Sequence, residues 1–195
     1  MGIHTRGLYG REEETPERQA YETLPYRQTF RILDSLSLSR DDVLVDLGSG
    51  RGRFVCCAAT YAIGGVMGVE DVEVLHCEAM ENSARMRGPR APISLILGKA
   101  QEFDFELGTV FYLYNPFGPE TLRAVVAKLA QRLGRKPAPV RIVYVNPVHE
   151  QVIADSGCFE RMSAWPPGLV SLPVSIWKSR APASGSQPPL SQLRS

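Results

Sequence analysis

The sequence predicts an α/β fold, doubly wound, with helices on both faces of a mostly parallel sheet of seven strands. Three observations predict it. Short aliphatic and β-branched runs recur at 43–47, 66–69, 93–97, 109–114 and 140–145. Between them lie segments with apolar residues at helical spacing, and strands joined through such segments run parallel. The runs are apolar throughout, as in strands buried on both faces. Two more strands, 158–162 and 174–178, follow in closer succession.

Residues 1–20 are charged and poor in apolar side chains, and read as a flexible lead-in. Tyr26, Phe30, Leu33 and Leu36 then recur at helical spacing behind Pro25, which suits a first turn, and predict a helix over 26–36. After the first strand, Phe54-Val55-Cys56-Cys57-Ala58-Ala59 is small and apolar enough for a helix packed on a sheet. That helix is expected over 52–63, stopped by Gly64-Gly65. Asp71 is placed to cap the next helix, which runs to Met86 and is broken by Gly88-Pro89 and Pro92. Leu122, Val125, Val126 and Leu129 share one face of a helix over 120–133, and a short helix over 150–156 follows the fifth strand. Residues 180–195 are rich in Ser, Pro and Gly and read as a disordered tail, which leaves 21–179 as one folded domain.

A chain of 195 residues builds one sizeable core rather than two. Twenty-two basic residues face 21 acidic ones, a net charge of +1, so no bulk charge directs the chain to nucleic acid or to a membrane surface. No apolar run approaches the roughly 20 residues of a spanning helix. No signal-peptide apolar region opens the chain. The cysteines at 56, 57, 77 and 158 have neither C-x-x-C nor Cys/His spacing. They read as buried reduced thiols of a cytoplasmic protein without a metal site.

The most informative stretch runs from Val43 to Phe54. Asp46 closes the strand, and Gly48, Gly50 and Gly52 stand at every second position. A strand, a glycine turn and a helix together bring backbone N–H groups and a positive helix end close to a ligand. Glycine permits that approach and the positive φ such turns need. A dinucleotide turn reads G-x-G-x-x-G, which would put its third glycine at Arg53. The strand ends carry Asp46, Glu70, Lys99, Asn115 and Asn146, acids or amides at four of five, along the edge where a parallel sheet binds its ligand. Glu70 offers two carboxylate oxygens, enough for both hydroxyls of a ribose. Tyr114-Asn115-Pro116-Phe117-Gly118 stops the fourth strand. By itself it reads as an Asn-Pro turn, like Asn146-Pro147.

Asp46 with the G-x-G-x-G turn resembles motif I of class I S-adenosylmethionine (SAM) dependent methyltransferases. Tyr114-Asn115-Pro116-Phe117 stands where that class carries motif IV, and the span from about 21 to 178 is similar to small bacterial members with a Tyr-Asn-Pro-Phe motif. Tyr21-Glu22-Thr23-Leu24-Pro25-Tyr26 is distantly similar to the Tyr-Glu-Pro-like segment of non-SET histone-lysine methyltransferases, from which Thr23 departs. The resemblance implies a Rossmann-like sheet with an antiparallel last strand. It implies SAM as cofactor, S-adenosylhomocysteine (SAH) as product, and a methyl acceptor of unknown identity, a nitrogen of a small molecule or protein. Asp46, Gly48, Ser49, Gly50, Gly52, Glu70, Ala100, Gln101 and Asn115 are implied as cofactor-binding residues, with Asn115 also orienting the acceptor. Within this reading the backbone near Gly48 to Gly50 meets the amino and carboxyl groups of the cofactor. Tyr21, Tyr26, Tyr114, Pro116 and Phe117 are implied at the acceptor site or in a lid. Where the class commonly carries an acid for the adenine amino group, this chain has Lys99, a donor only. Adenine then falls to Gln101, Glu102 or backbone near Ala100. Arg51 and Arg53 read as exposed helix-start residues, the alternative being contact with a carboxylate or a substrate. Two other functions stay open: a catalytically silent module that binds SAM or a partner, and a nicotinamide oxidoreductase, which the glycine spacing disfavours.

Overall fold

The computed structural model describes residues 3, 5, 22–136, 138–168 and 171–180. The expected flexible segment 1–20 and disordered tail 180–195 lie outside these residues, save residues 3, 5 and 180. The elements are α1 (Tyr26–Ser35), β1 (Val43–Leu47), α2 (Arg53–Ala58), β2 (Gly65–Glu70), α3 (Glu73–Arg85) and β3 (Ile93–Leu97). A 3₁₀ turn (Ala100–Glu102) leads to β4 (Val110–Tyr114), α4 (Pro119–Arg135), β5 (Arg141–Val145), α5 (Gln151–Asp155), β6 (Phe159–Trp165) and β7 (Val174–Ser179). The strands form one sheet in the order β3-β2-β1-β4-β5-β7-β6. Strands β1 to β5 pair in parallel, and β7 runs antiparallel between β5 and β6. The fold is therefore the Rossmann-like, mostly parallel seven-stranded one, with its last strand reversed.

Alternate strand residues enter two cores, because successive side chains of a strand point to opposite faces. Leu44, Val66, Val110, Tyr112 and Val143 pack with α1 and α2 on one face. Val45, Val69, Phe111, Leu113, Ile142 and Tyr144 pack with α4 and α5 on the other. The four apolar residues of α4 that share a face in the sequence are all buried, each worth about 1.5–3 kcal/mol relative to exposure. Among the described residues no helix is long and apolar enough to cross a membrane.

Three local expectations are corrected. The helix after the glycine turn ends at Ala58, not at 63. The Thr60 and Tyr61 N–H groups donate to Cys57 and Ala58 O in a tightened turn, and Arg90 N–H takes Ala59 O at 2.7 Å. The carbonyl that would continue the helix is spent on a distant loop. Asp71 does not cap α3, whose N-cap is Val72 without a side-chain bond. Cys77 is exposed and Cys158 half-buried, while Cys56 and Cys57 are buried and all four are free.

At the amino edge of the sheet, Asp42 ties three elements together. Its carboxylate accepts from Arg141 Nη2 at 2.7 Å, Thr109 Oγ1 at 2.8 Å and Ser39 N–H at 2.8 Å. Arg141 Nη1 also donates to Leu36 O. Burial raises the Asp42 pKa, but these bonds outweigh it and hold the pKa below its ordinary value of 3.8. Its folded value is depressed, so its stabilisation is full above the unfolded value and is lost as pH falls through the folded one. Asp42→Ala is expected to cost about 2–4 kcal/mol in urea unfolding at neutral pH. The difference from wild type should shrink in strong acid.

Candidate functional site

The sheet order changes direction between β1 and β4, and a crevice opens there at the carboxyl ends of the strands. A cavity of about 410 Å³ occupies it, within the range of small-molecule sites. Asp46, Gly48, Ser49, Glu70, Ala100, Gln101, Tyr114, Pro116 and Phe117 of the expected set line it. Gly50, Gly52, Tyr26 and Asn115 lie beside the wall rather than in it, and Tyr21 lies outside the described residues.

The turn after β1 is left-handed at Gly48 (φ 82), Gly50 (φ 51) and Gly52 (φ 75). A Cβ on Gly48 would stand 2.5 Å from Pro116 Cβ, and one on Gly52 3.1 Å from Ala79 Cβ. These glycines thus admit the chain's own neighbours: the loop after β4 in one case, α3 in the other. The backbone N–H groups do not wait for a ligand either. Those of Gly48 and Ser49 donate to Val69 O at 2.9 and 3.0 Å, that of Gly50 to Glu70 Oε2 at 2.7 Å, and that of Gly52 to Ser49 O at 2.9 Å. These four N–H groups of the turn are thus paired within the protein.

Glu70 is 6% exposed. Its second oxygen accepts from Val72 N–H at 3.0 Å, so one carboxylate holds both the glycine turn and the start of α3. Asp46, 3% exposed, lies one strand away. Burial first, and then the charge of Glu70, push its pKa well above 3.8. Tyr112 stands in register with Asp46 on β4 and stacks on Phe54, ring centroids 3.5 Å apart. Burial and the charge of Asp46 push its phenol pKa up.

At the other end of the cavity Tyr114 donates to Glu22 Oε2 at 3.0 Å, and burial followed by Glu22 raises its pKa. Asn115 has φ 39, and its Oδ1 accepts from Tyr144 Oη at 3.0 Å. The Tyr144 phenol is pushed up to about 12, chiefly by burial. Lys99 is exposed near Glu102, so it projects into solvent at the rim.

Arg53 was expected on the surface and is 8% exposed. Its Nε donates to Thr5 Oγ1 at 2.6 Å, Nη1 to Leu24 O at 2.8 Å and Nη2 to Thr5 O at 3.2 Å. The Tyr26 ring lies 4.8 Å from its guanidinium carbon. Arg51 pairs with Glu78 at 2.6 Å. The sequence held no local signal for Arg53 or Tyr112: the partner of one is 48 positions away, and the other depends on strand register.

The family model described as histone methylation protein DOT1 matches residues 11–91. No curated protein sequence matches the chain. Among solved structures it is similar to an RNA methyltransferase from Salinibacter ruber in complex with SAH: TM-score 0.60, 23% identity, 85% of this chain and 97% of that one. A SAM-dependent O-methyltransferase from Thermotoga maritima gives TM-score 0.64 at 15% identity, over 85% of this chain and 69% of that one. An rRNA methylase from Streptococcus thermophilus gives 0.57 at 14%, over 83% and 99%. At these identities the likeness is one of fold.

Gly48→Ala forces a side chain into left-handed backbone and against Pro116. It is expected to destabilise by about 1–3 kcal/mol and to lower the melting temperature, whereas Gly134→Ala, with open space around it, should not destabilise.

Proposed function

We propose that this chain is a SAM-dependent methyltransferase that binds SAM in the cavity at the β1–β4 crevice and releases SAH. The observation that carries the reading is the convergence of two buried carboxylates, Asp46 and Glu70, with the glycine turn on one cavity of nucleoside size. The residues present fit that cofactor. Glu70 accepts from the ribose hydroxyls. Asp46 takes the amino group, whose positive charge favours the ionised carboxyl. Val69, Leu75, Ala100 and Phe117 give an apolar wall for adenine, with Gln101 to meet its edge. The solved Salinibacter ruber neighbour holds SAH, which supports the assignment.

Bound SAM supplies an electrophilic methyl on a sulfonium. The protein's part is to orient and desolvate the acceptor. The acceptor end is Tyr114 to Phe117. Asn115 Oδ1 is held by the Tyr144 hydroxyl, and in this reading its remaining acceptor capacity, with the Tyr114 carbonyl, takes hydrogen bonds from a nitrogen that carries protons. A neutral amine then needs no general base. We read the acceptor as a nitrogen of a small molecule or protein. Four free thiols support a reducing, cytoplasmic setting.

Calorimetry with SAH tests binding, and methyl-labelled SAM with amine metabolites, protein extract and RNA tests turnover. RNA is included because two of the similar structures are RNA or rRNA methylases. Binding without turnover on any acceptor would leave a silent SAM-binding module. Glu70→Gln keeps an acceptor for the turn and removes the charge, and is expected to weaken SAH by about 1.5–3 kcal/mol. Asn115→Ala should lower kcat about 100-fold through lost orientation with SAH affinity unchanged. Affinity for SAH should fall as pH drops through the raised folded pKa of Asp46, where the carboxylate takes up a proton and no longer attracts the ligand's ammonium. Asp46→Asn should flatten that dependence.

A further inference from the structure

Arg53 is a cation buried at the cavity wall whose bonds go to one hydroxyl, two carbonyls and an aromatic face, all uncharged. No carboxylate lies within ion-pair distance of it among the described residues. A buried charge left without a counter-charge is costly, and buried arginines are ordinarily paired. Three of its five N–H donors are accounted for. A further fact points to a ligand anion. The turn N–H groups of Gly48, Ser49, Gly50 and Gly52 are all consumed by the protein itself. The other lysine or arginine on the wall, Lys99, is exposed and lies near Glu102.

We propose that Arg53 is the residue that binds the α-carboxylate of the cofactor's amino-acid end, in place of the turn backbone. The inference rests on the SAM reading and specifies how that site discriminates. Asp46 takes the ammonium, and Arg53 takes the carboxylate. The bonds to Thr5 and Leu24 then have a second meaning. They fix the guanidinium plane in advance, so little side-chain freedom is lost when the ligand arrives. They also make the strap around Leu24, which lines the cavity, part of the carboxylate site.

The test compares SAH with S-adenosyl-3-thiopropylamine, the same molecule without its carboxylate, by calorimetry on the full chain. Wild type is expected to bind SAH at least about tenfold more tightly, as a charge-assisted bond of about 1.5–3 kcal/mol requires. Arg53→Gln should bring the ratio of the two affinities close to one, and Arg53→Lys should keep part of the preference. Thr5→Val removes the hydroxyl that accepts from Nε but keeps the Thr5 carbonyl and the charge, and is expected to lower the ratio by clearly less than Arg53→Gln does. Equal loss of the ratio in Arg53→Gln and Thr5→Val would assign the effect to the seating of the strap and overturn the proposal. So would a wild type that does not distinguish the ligands, a result that stands even where Arg53→Gln fails to fold. Failure of wild type to bind either ligand would instead remove the SAM reading, and this inference with it.

Discussion

The carboxylate of Glu70 is the constraint on which the site depends. One oxygen takes the Gly50 N–H and the other the Val72 N–H, so a single side chain at the end of β2 fixes the loop after β1 and the start of α3. Both bonds are charge-assisted, which makes them stronger than neutral ones, and the one to Gly50 is buried. With the turn held this way, Gly48 can sit against Pro116 and Gly52 against Ala79. The cost is a second buried acid nearby. Asp46 cannot ionise cheaply next to Glu70 in a site with little water, which is why its pKa is displaced upward.

That displacement links the fold to its proposed chemistry. A cavity lined by Glu22, Asp46, Glu70 and Asp71 is rich in acceptors. It suits a ligand that brings hydroxyl and ammonium donors, as SAM does. Arg53 adds one donor group of opposite charge in the middle of this acidic surface. The site is thereby polarised, with acids for the donors of the ligand and a guanidinium for its anion.

Much of the fold was legible because hydrophobic runs and helical periodicity report burial locally. Each of the seven strands expected from the chain is present, and β6 runs on to Trp165. The errors fell where one element borrows a partner from another. The helix α2 is short because Ala59 O bonds the loop at Arg90 and Ala91. Asp71 is not a cap because α3 starts one residue later, with Val72 as its N-cap. The glycines were recognisable by spacing, yet their reason was not. They make room for Pro116 and Ala79, residues whose proximity exists only in the folded chain.

By itself the sequence determined the strand and helix order, the glycine turn behind Asp46, and the acid at the end of β2, because these follow from short-range periodicity and from which residue types tolerate left-handed backbone. Tertiary structure alone decided which groups face the cavity. It turned the turn's N–H groups inward to Val69 and Glu70, and set Tyr112 beside Asp46 through strand register. It also drew Arg53 off the surface onto Thr5 and Leu24. Hydrogen bonds and ion pairs between residues far apart in the chain depend on three-dimensional position, and no local pattern encodes that.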